Sequence, residues 1–259
     1  MKPTNPFHSA NKDRWDAASE HWRRAADSRG LWRRCPTEPE LVLSDKELYY
    51  LKGIAGRRVC VLGSGDNQVV FALAGLGALV TSVDISEKQL QIAQQRSYEL
   101  GLSVEFVQAD VTDLSALASD SFEVIYTGGH VAVWVTDLFK YYAEAARILA
   151  PEGLLLISEY HPFRRIWKES KTTLSVKSRY LDRGPFEYDY TDNVLSREIG
   201  SLKCYEYHWT VADYLNSVIS SGCRILFVDE FGEYVGDWEG APLGGLPEFL
   251  LIVARKDVV

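Results

Sequence analysis

Between residues 57 and 160, short apolar runs alternate with amphipathic segments, and this alternation constrains the fold more than any other feature of the chain. Arg58 to Leu62, Leu79 to Ile85, Val104 to Gln108, Phe122 to Thr127 and Leu154 to Tyr160 read as buried strands. Gly63-Ser64-Gly65 turns the first strand into a helix running to about Gly75, and Ser86 with Gln89 forms a capping box for a helix ending near Gly101. Leu138, Tyr141, Tyr142, Ala145, Ala146 and Leu149 fall on one helical face, in a helix that Pro151 and Gly153 stop. Strand and helix in strict alternation require crossovers, hence a parallel, doubly wound α/β sheet with helices on both faces.

The flanks have different rhythms. Residues 11–29 form a helix rich in Trp, Ala and Arg, and Ser44 with Glu47 caps a second one ending at Lys52, so residues 1–52 read as an N-terminal helical cap on a domain of residues 53–259. Residues 162–208 interrupt the alternation with charges, aromatics and turn signals at Arg183-Gly184-Pro185 and Asp192-Asn193, which suits an inserted β-hairpin region. Helix 210–221, strand 224–231, a Gly-rich turn and a strand from Glu248 to Ala254 complete the chain.

Charge excludes some function classes. The 259 residues carry 28 basic and 36 acidic side chains, a net charge of −8, which is poor material for a phosphate-binding face and argues against a nucleic-acid partner. Eight basic groups lie in residues 1–37 (Lys2, Lys12, Arg14, Arg23, Arg24, Arg29, Arg33, Arg34) against four acidic ones, which is the pattern of a solvated helix face or of a lid that attracts an anion. Cys35, Cys60, Cys204 and Cys223 show no metal-binding spacing, so no metal is expected and reduced thiols are. No apolar run reaches the ~20 residues of a membrane span, and the polar N-terminus is no signal peptide, so a cytoplasmic protein without membrane contact is expected.

In an open parallel sheet, ligands bind beyond the carboxyl ends of the strands. Gly63 and Gly65 permit a tight bend there and a close ligand approach. Asp84 ends the second strand 21 residues after Gly63, a spacing that places a carboxylate on the hydroxyls of a ribose; the plainer alternative is a helix cap. Asp110, directly after the third strand, is placed to accept from an exocyclic amine, with Val111 against a purine face. A nicotinamide enzyme would carry a glycine where this chain has Gln68, and that reading leaves Asp110 unexplained.

The segments Val59–Asn67, Thr81–Ser86, Val107–Val111, Phe122–Tyr126 and Ala146–Leu154 resemble the core of the class I S-adenosylmethionine-dependent methyltransferases, in particular the group similar to ubiquinone-biosynthesis methyltransferases. The resemblance implies a Rossmann-like seven-stranded sheet with an antiparallel last strand and S-adenosyl-L-methionine as cofactor. It also implies a cofactor site built from Gly63, Ser64, Gly65, Asp84, Ile85, Asp110, Val111 and Gly128. Val61 stands where the family usually has an acid, and Asn67 where it often has a third glycine.

Methyl transfer needs alignment and dryness, with a base only if the acceptor must lose a proton. His130 after the fourth strand and Glu159 and His161 at the end of the fifth are the candidate catalytic side chains. Tyr160, Trp134 and Trp22 are candidates to wall a small-molecule acceptor, with Trp15, His21 and the aromatic insertion (Trp167, Tyr180, Phe186, Tyr188, Tyr190) covering the site. Strand alternation predicts that Glu159 and His161 point to one side and Tyr160 to the other. The expected function is methyl transfer to an O, N or C nucleophile of a small molecule. Its alternatives are a cofactor-binding protein without catalysis and an NAD(P)-dependent oxidoreductase.

Overall fold

A computed structural model describes residues 5–65, 68–168, 170, 172–188, 202–233 and 242–258. Five parallel strands form its centre: β1 (Arg58–Leu62), β2 (Leu79–Asp84), β3 (Val104–Gln108), β4 (Phe122–Gly128) and β5 (Leu149–Tyr160). β8 (Cys223–Glu233) and β9 (Pro247–Lys256) extend the sheet, giving the order β3-β2-β1-β4-β5-β9-β8 with β9 antiparallel to both neighbours. The strand order reverses between β1 and β4, the position where open α/β sheets leave a crevice.

Both faces of the sheet are covered, which is why the strands are apolar at successive positions rather than alternate ones. Cys60 and Leu62 pack with α6 (Leu138–Ile148) and α7 (Val211–Ser220), while Val59 and Val61 pack with α2 (Leu31–Arg34), α3 (Asp45–Tyr50) and α4 (Gln68–Gly75). Local chemistry sets the helix starts. Ser44 and Glu47 form both halves of a capping box on α3, as Thr210 and Asp213 do on α7. On α5 (Glu87–Glu99) only the Ser86 half forms, with the Gln89 amide 3.2 Å from its hydroxyl.

Two boundaries differ from expectation. α1 (Pro6–Arg29) is capped by Asn5, so the first helix is longer than its apolar pattern suggests. β5 begins at Leu149, because the chain passes from α6 straight into an extended course through Pro151 and Gly153. The insertion supplies a separate two-stranded antiparallel sheet, β6 (Phe186–Tyr188) with β7 (Cys204–Glu206); the turn signal at Asp192-Asn193 and Tyr190 lie outside the described residues. Three basic groups of α1 pair along the helix, Lys12 with Asp16, Arg23 with Glu20 and Asp27, and Arg24 with Glu20, which is the pattern of a solvated face, whereas Arg14 is buried. All four cysteines are buried free thiols, and no helix among the described residues is long and apolar enough to cross a membrane.

Candidate functional site

The carboxyl ends of β1, β2 and β3 bring the glycine bend and both aspartates together. Gly63 and Gly65 take left-handed φ values of 62° and 51°, and the Gly65 amide donates to Asp84 Oδ2 at 2.7 Å. The other oxygen of Asp84 accepts the Ser86 amide, also at 2.7 Å, so this carboxylate ties the bend to the start of α5. A Cβ built on Gly65 would meet nothing nearer than Asp84 Oδ2 at 3.9 Å, which leaves open space over the bend. Ser64 faces inward, 2% exposed, with its hydroxyl 2.7 Å from that of Ser82. Asp110 lies beside Asp84, since the Ala109 amide donates to the Asp84 carbonyl at 3.0 Å. Val111 is buried in the core beneath, and Ile85 is half-buried with its carbonyl accepting from Gln108 Nε2.

α1 lies across this edge and anchors to it through polar side chains. His8 Nε2 accepts the Thr136 amide at 3.0 Å, which leaves the ring proton on Nδ1 to donate to Asp110 Oδ2 at 2.6 Å. Asp110 Oδ1 accepts the amide and hydroxyl of Thr112, both at 2.8 Å. Burial works against ionisation of Asp110, but these donors outweigh it and hold the carboxyl below its ordinary range. Asp16 accepts from the Ser86 hydroxyl at 2.6 Å and the Lys88 amide at 3.2 Å, adding a negative charge at the N-terminus of α5.

A second cluster gathers at the ends of β4 and β5. The loop after β4 packs directly on the glycine bend, as a Cβ on Gly63 would lie 2.4 Å from Val131 Cγ1. Gly128 has a packing role, because its Cβ would fall 2.1 Å from the Ser158 carbonyl oxygen. Gly128→Ala is therefore expected to cost at least about 2 kcal/mol, read as a lower urea midpoint; an unchanged midpoint would show that β4 and β5 can part locally.

His130 takes a φ of 91°, a conformation that a residue with a Cβ adopts only when its surroundings impose it. Glu159 imposes it: its carboxylate, 1% exposed, accepts the His130 amide at 2.9 Å and the Ala132 amide at 3.1 Å. Burial raises the Glu159 carboxyl to about 7, although the loop amides pull it down. The His130 ring contacts Arg165 through Nε2. Burial first, then the positive charges of Arg165 and Arg164, push the imidazole well below its ordinary value, so it is neutral.

His130, Glu159, Tyr160, His161, Arg164, Arg165, His208 and Trp209 all line one small cleft, about 10 Å³ of free space, room for roughly one water molecule. His161 is caged, with Nε2 2.6 Å from Glu230 and Nδ1 accepting the Phe163 amide at 3.2 Å. Tyr160 stacks on Phe249 beneath the Arg164 guanidinium, 3.9 Å from the ring centre. An aromatic row joins α1 to the cleft: Trp22 to Trp15 at 6.3 Å, Trp15 to Trp134 at 5.5 Å, and Trp134 to His130 at 5.9 Å. Trp167 packs instead with Leu243 and Leu246 in a satellite cluster.

Sequence reasoning missed Arg165, Glu206 and His208. Arg165 Nη1 lies 3.3 Å from Glu206 Oε2, at 10% and 0% side-chain exposure, and His208 Nε2 lies 3.4 Å from the same oxygen. A signal existed, because Glu206 and His208 are two apart in an extended segment and so share a face.

Residues 61–157 match the family model described as a methyltransferase domain. A ubiquinone biosynthesis O-methyltransferase from Thiobacillus denitrificans is 29% identical over 135 residues, 52% of this chain and 58% of that protein. One of the same name from Xanthomonas oryzae is 26% identical over 185 residues, covering 70% and 74% of the two chains. The crystal structure of an S-adenosylmethionine-dependent methyltransferase from Mesorhizobium loti superposes with a TM-score of 0.60 at 26% identity, over 81% of this chain and 95% of that one. Residues 61–157 carry the methyltransferase-domain match, and over 81% of its length the chain is similar to an S-adenosylmethionine-dependent methyltransferase. The match spans less than two thirds of the Thiobacillus protein's own length.

The geometry of the methyltransferase domain suits its cofactor. The open space over Gly65 is a backbone cradle with the carboxylates of Asp84 and Asp110 beside it as acceptors. Val61 is 1% exposed in the apolar core, so its side chain offers a ligand nothing.

Proposed function

We propose that this chain passes the methyl group of S-adenosylmethionine to a small-molecule acceptor seated between the β4 and β5 ends and the insertion. The contact of Val131 with the glycine bend carries the reading, because it sets the His130 loop and its cleft against the cofactor cradle. Asp84 would take the ribose hydroxyls, Asp110 the adenine amine, and Ile85 and Val111 the purine faces. Tyr160 in the cleft, with Trp134 and Trp22 in the aromatic row beside it, would exclude water and wall the acceptor, which would have to widen a space now fit for one water molecule. His130, strained and neutral, would orient the acceptor, with His161 lining the cleft beside it. Glu159 acts through the His130–Ala132 loop, which its carboxylate holds in shape. The net charge of −8 supports a partner other than nucleic acid, and the setting we propose is the cytoplasm. The relatives named for ubiquinone biosynthesis favour oxygen as the nucleophile.

Calorimetry with S-adenosylhomocysteine and with NAD, paired with a methyl-transfer assay, tests this. Binding of S-adenosylhomocysteine alone with turnover is expected; binding of NAD instead would overturn it. Asp84→Ala is expected to weaken S-adenosylhomocysteine binding by at least about 1.5 kcal/mol, the scale of a charge-assisted hydrogen bond. Unchanged affinity in a folded variant would remove Asp84 from the ribose.

A further inference from the structure

We infer that His208, backed by Glu206, is the base that receives the acceptor's proton, an assignment that rests on the methyltransferase reading above. The side chains nominated by sequence are each committed elsewhere. The oxygens of Glu159 hold the amides of His130 and Ala132, both nitrogens of His161 are engaged, and His130 Nε2 faces the Arg165 guanidinium. The guanidinium on His130 Nε2 leaves that ring's own hydrogen on Nδ1, whereas His208 has a carboxylate on Nε2 and so keeps a lone pair on Nδ1. His208 is 6% exposed, it lines the cleft, and its buried Nδ1 has no hydrogen-bond partner among the described residues.

The ring is held for such a role. Nε2 lies 3.4 Å from Glu206 Oε2, so its hydrogen points at a fully buried carboxylate and Nδ1 keeps its lone pair. Phe186 stacks on the other side, ring centres 4.1 Å apart and 21° from parallel. Both flanking residues are tied to the loop after β4, as the Tyr207 amide donates to the Val133 carbonyl at 2.7 Å and the Trp209 indole Nε1 to the Ala132 carbonyl at 2.9 Å. A carboxylate that fixes the tautomer of an imidazole, leaving the far nitrogen bare in an enclosed site, is the arrangement by which proteins make a histidine accept protons.

When bound, S-adenosylmethionine supplies the methyl from its sulfonium and departs as the neutral thioether. The acceptor's O–H or N–H gives its proton to His208 Nδ1 while the freed lone pair forms the bond to the methyl carbon. The imidazolium so formed is balanced by Glu206, and its proton passes to solvent after product leaves.

His208→Gln in the full chain tests the assignment with catechol, which must lose a proton, and thiophenol, already ionised at pH 8, as probe acceptors. A loss of about 100-fold or more in kcat with catechol, little change with thiophenol, and unchanged S-adenosylhomocysteine binding are expected. Equal losses on both probes, or no loss on catechol, would overturn the role. Nitrogen-15 spectra of histidine-labelled protein decide it independently of turnover. His208, assigned by its disappearance in the variant, should show a protonated Nε2 and a bare Nδ1, and a proton on Nδ1 would rule the base out. Absent S-adenosylhomocysteine binding in the unaltered protein would defeat the methyltransferase reading, and the spectra would still judge the dyad.

Discussion

Between pH 4 and pH 8 the unaltered protein will lose about 3 kcal/mol of stability that Glu159→Gln does not lose. Burial raises the Glu159 carboxyl from 4.5 to about 7, so the folded state binds a proton that the unfolded chain has already released. Below pH 4.5 both states hold that proton and the group costs nothing; above pH 7 both have released it and the folded state bears a buried charge. Stability from this group therefore falls as pH rises. Its neighbours act with the opposite sign. His130 and His161 are held below their ordinary values by burial, so they oppose folding as pH falls below 6.5. Asp110, held below its ordinary value of 3.8, loses its contribution only in stronger acid. The amide NH2 of a glutamine would face one of the two loop amides, a penalty present at every pH. Only the change in the difference between the two proteins isolates the carboxyl, and urea unfolding at several pH values measures it. A difference that stays flat would mean that Glu159 ionises as an ordinary surface carboxylate and is hydrated in solution.

The sheet was legible in the sequence because each buried strand is a short apolar run bounded by a turn or cap, and nothing in the tertiary structure opposes those local preferences. The start of β5 was not legible, since Pro151 and Gly153 signal a stop that the chain meets by extending rather than turning. The length of α1 was hidden for a different reason. His8, Asn11 and Arg14 are its buried face, a polar stripe at helical spacing that meets the strand-end loops through hydrogen bonds, so a search for apolar periodicity passes over it. Glycines and aspartates at strand ends could be found because their spacing is local. The commitment of Glu159 could not, because its partners are backbone amides 27 and 29 residues away, and amides leave no mark in a sequence. His208 escaped because Arg165, which joins it on the Glu206 carboxylate, comes from the far end of the insertion.

Arg165→Met will destabilise the fold by about 3 to 5 kcal/mol, the cost of stranding a buried carboxylate. Glu206 is 0% exposed, and among the described residues its only ion-pair partners are Arg165 at 3.3 Å and His208 at 3.4 Å, both on the same oxygen. The other oxygen, Oε1, has no hydrogen-bond partner there, so the charge is already poorly compensated before Arg165 is removed. Met keeps most of the aliphatic volume of the arginine stem, which separates loss of charge from loss of packing. Adding Glu206→Gln to this variant removes the stranded charge and should return more than half of the lost stability, whereas a packing defect would persist in the double variant. Glu206→Gln alone should cost less than Arg165→Met, because a neutral amide can still accept from the guanidinium. If Arg165→Met costs less than about 1 kcal/mol, water reaches Glu206 and the interior between the insertion and the β5 end is wet. A wet interior would also hydrate His208 Nδ1, so this measurement bears on whether the cleft can hold an imidazole bare and ready for a proton.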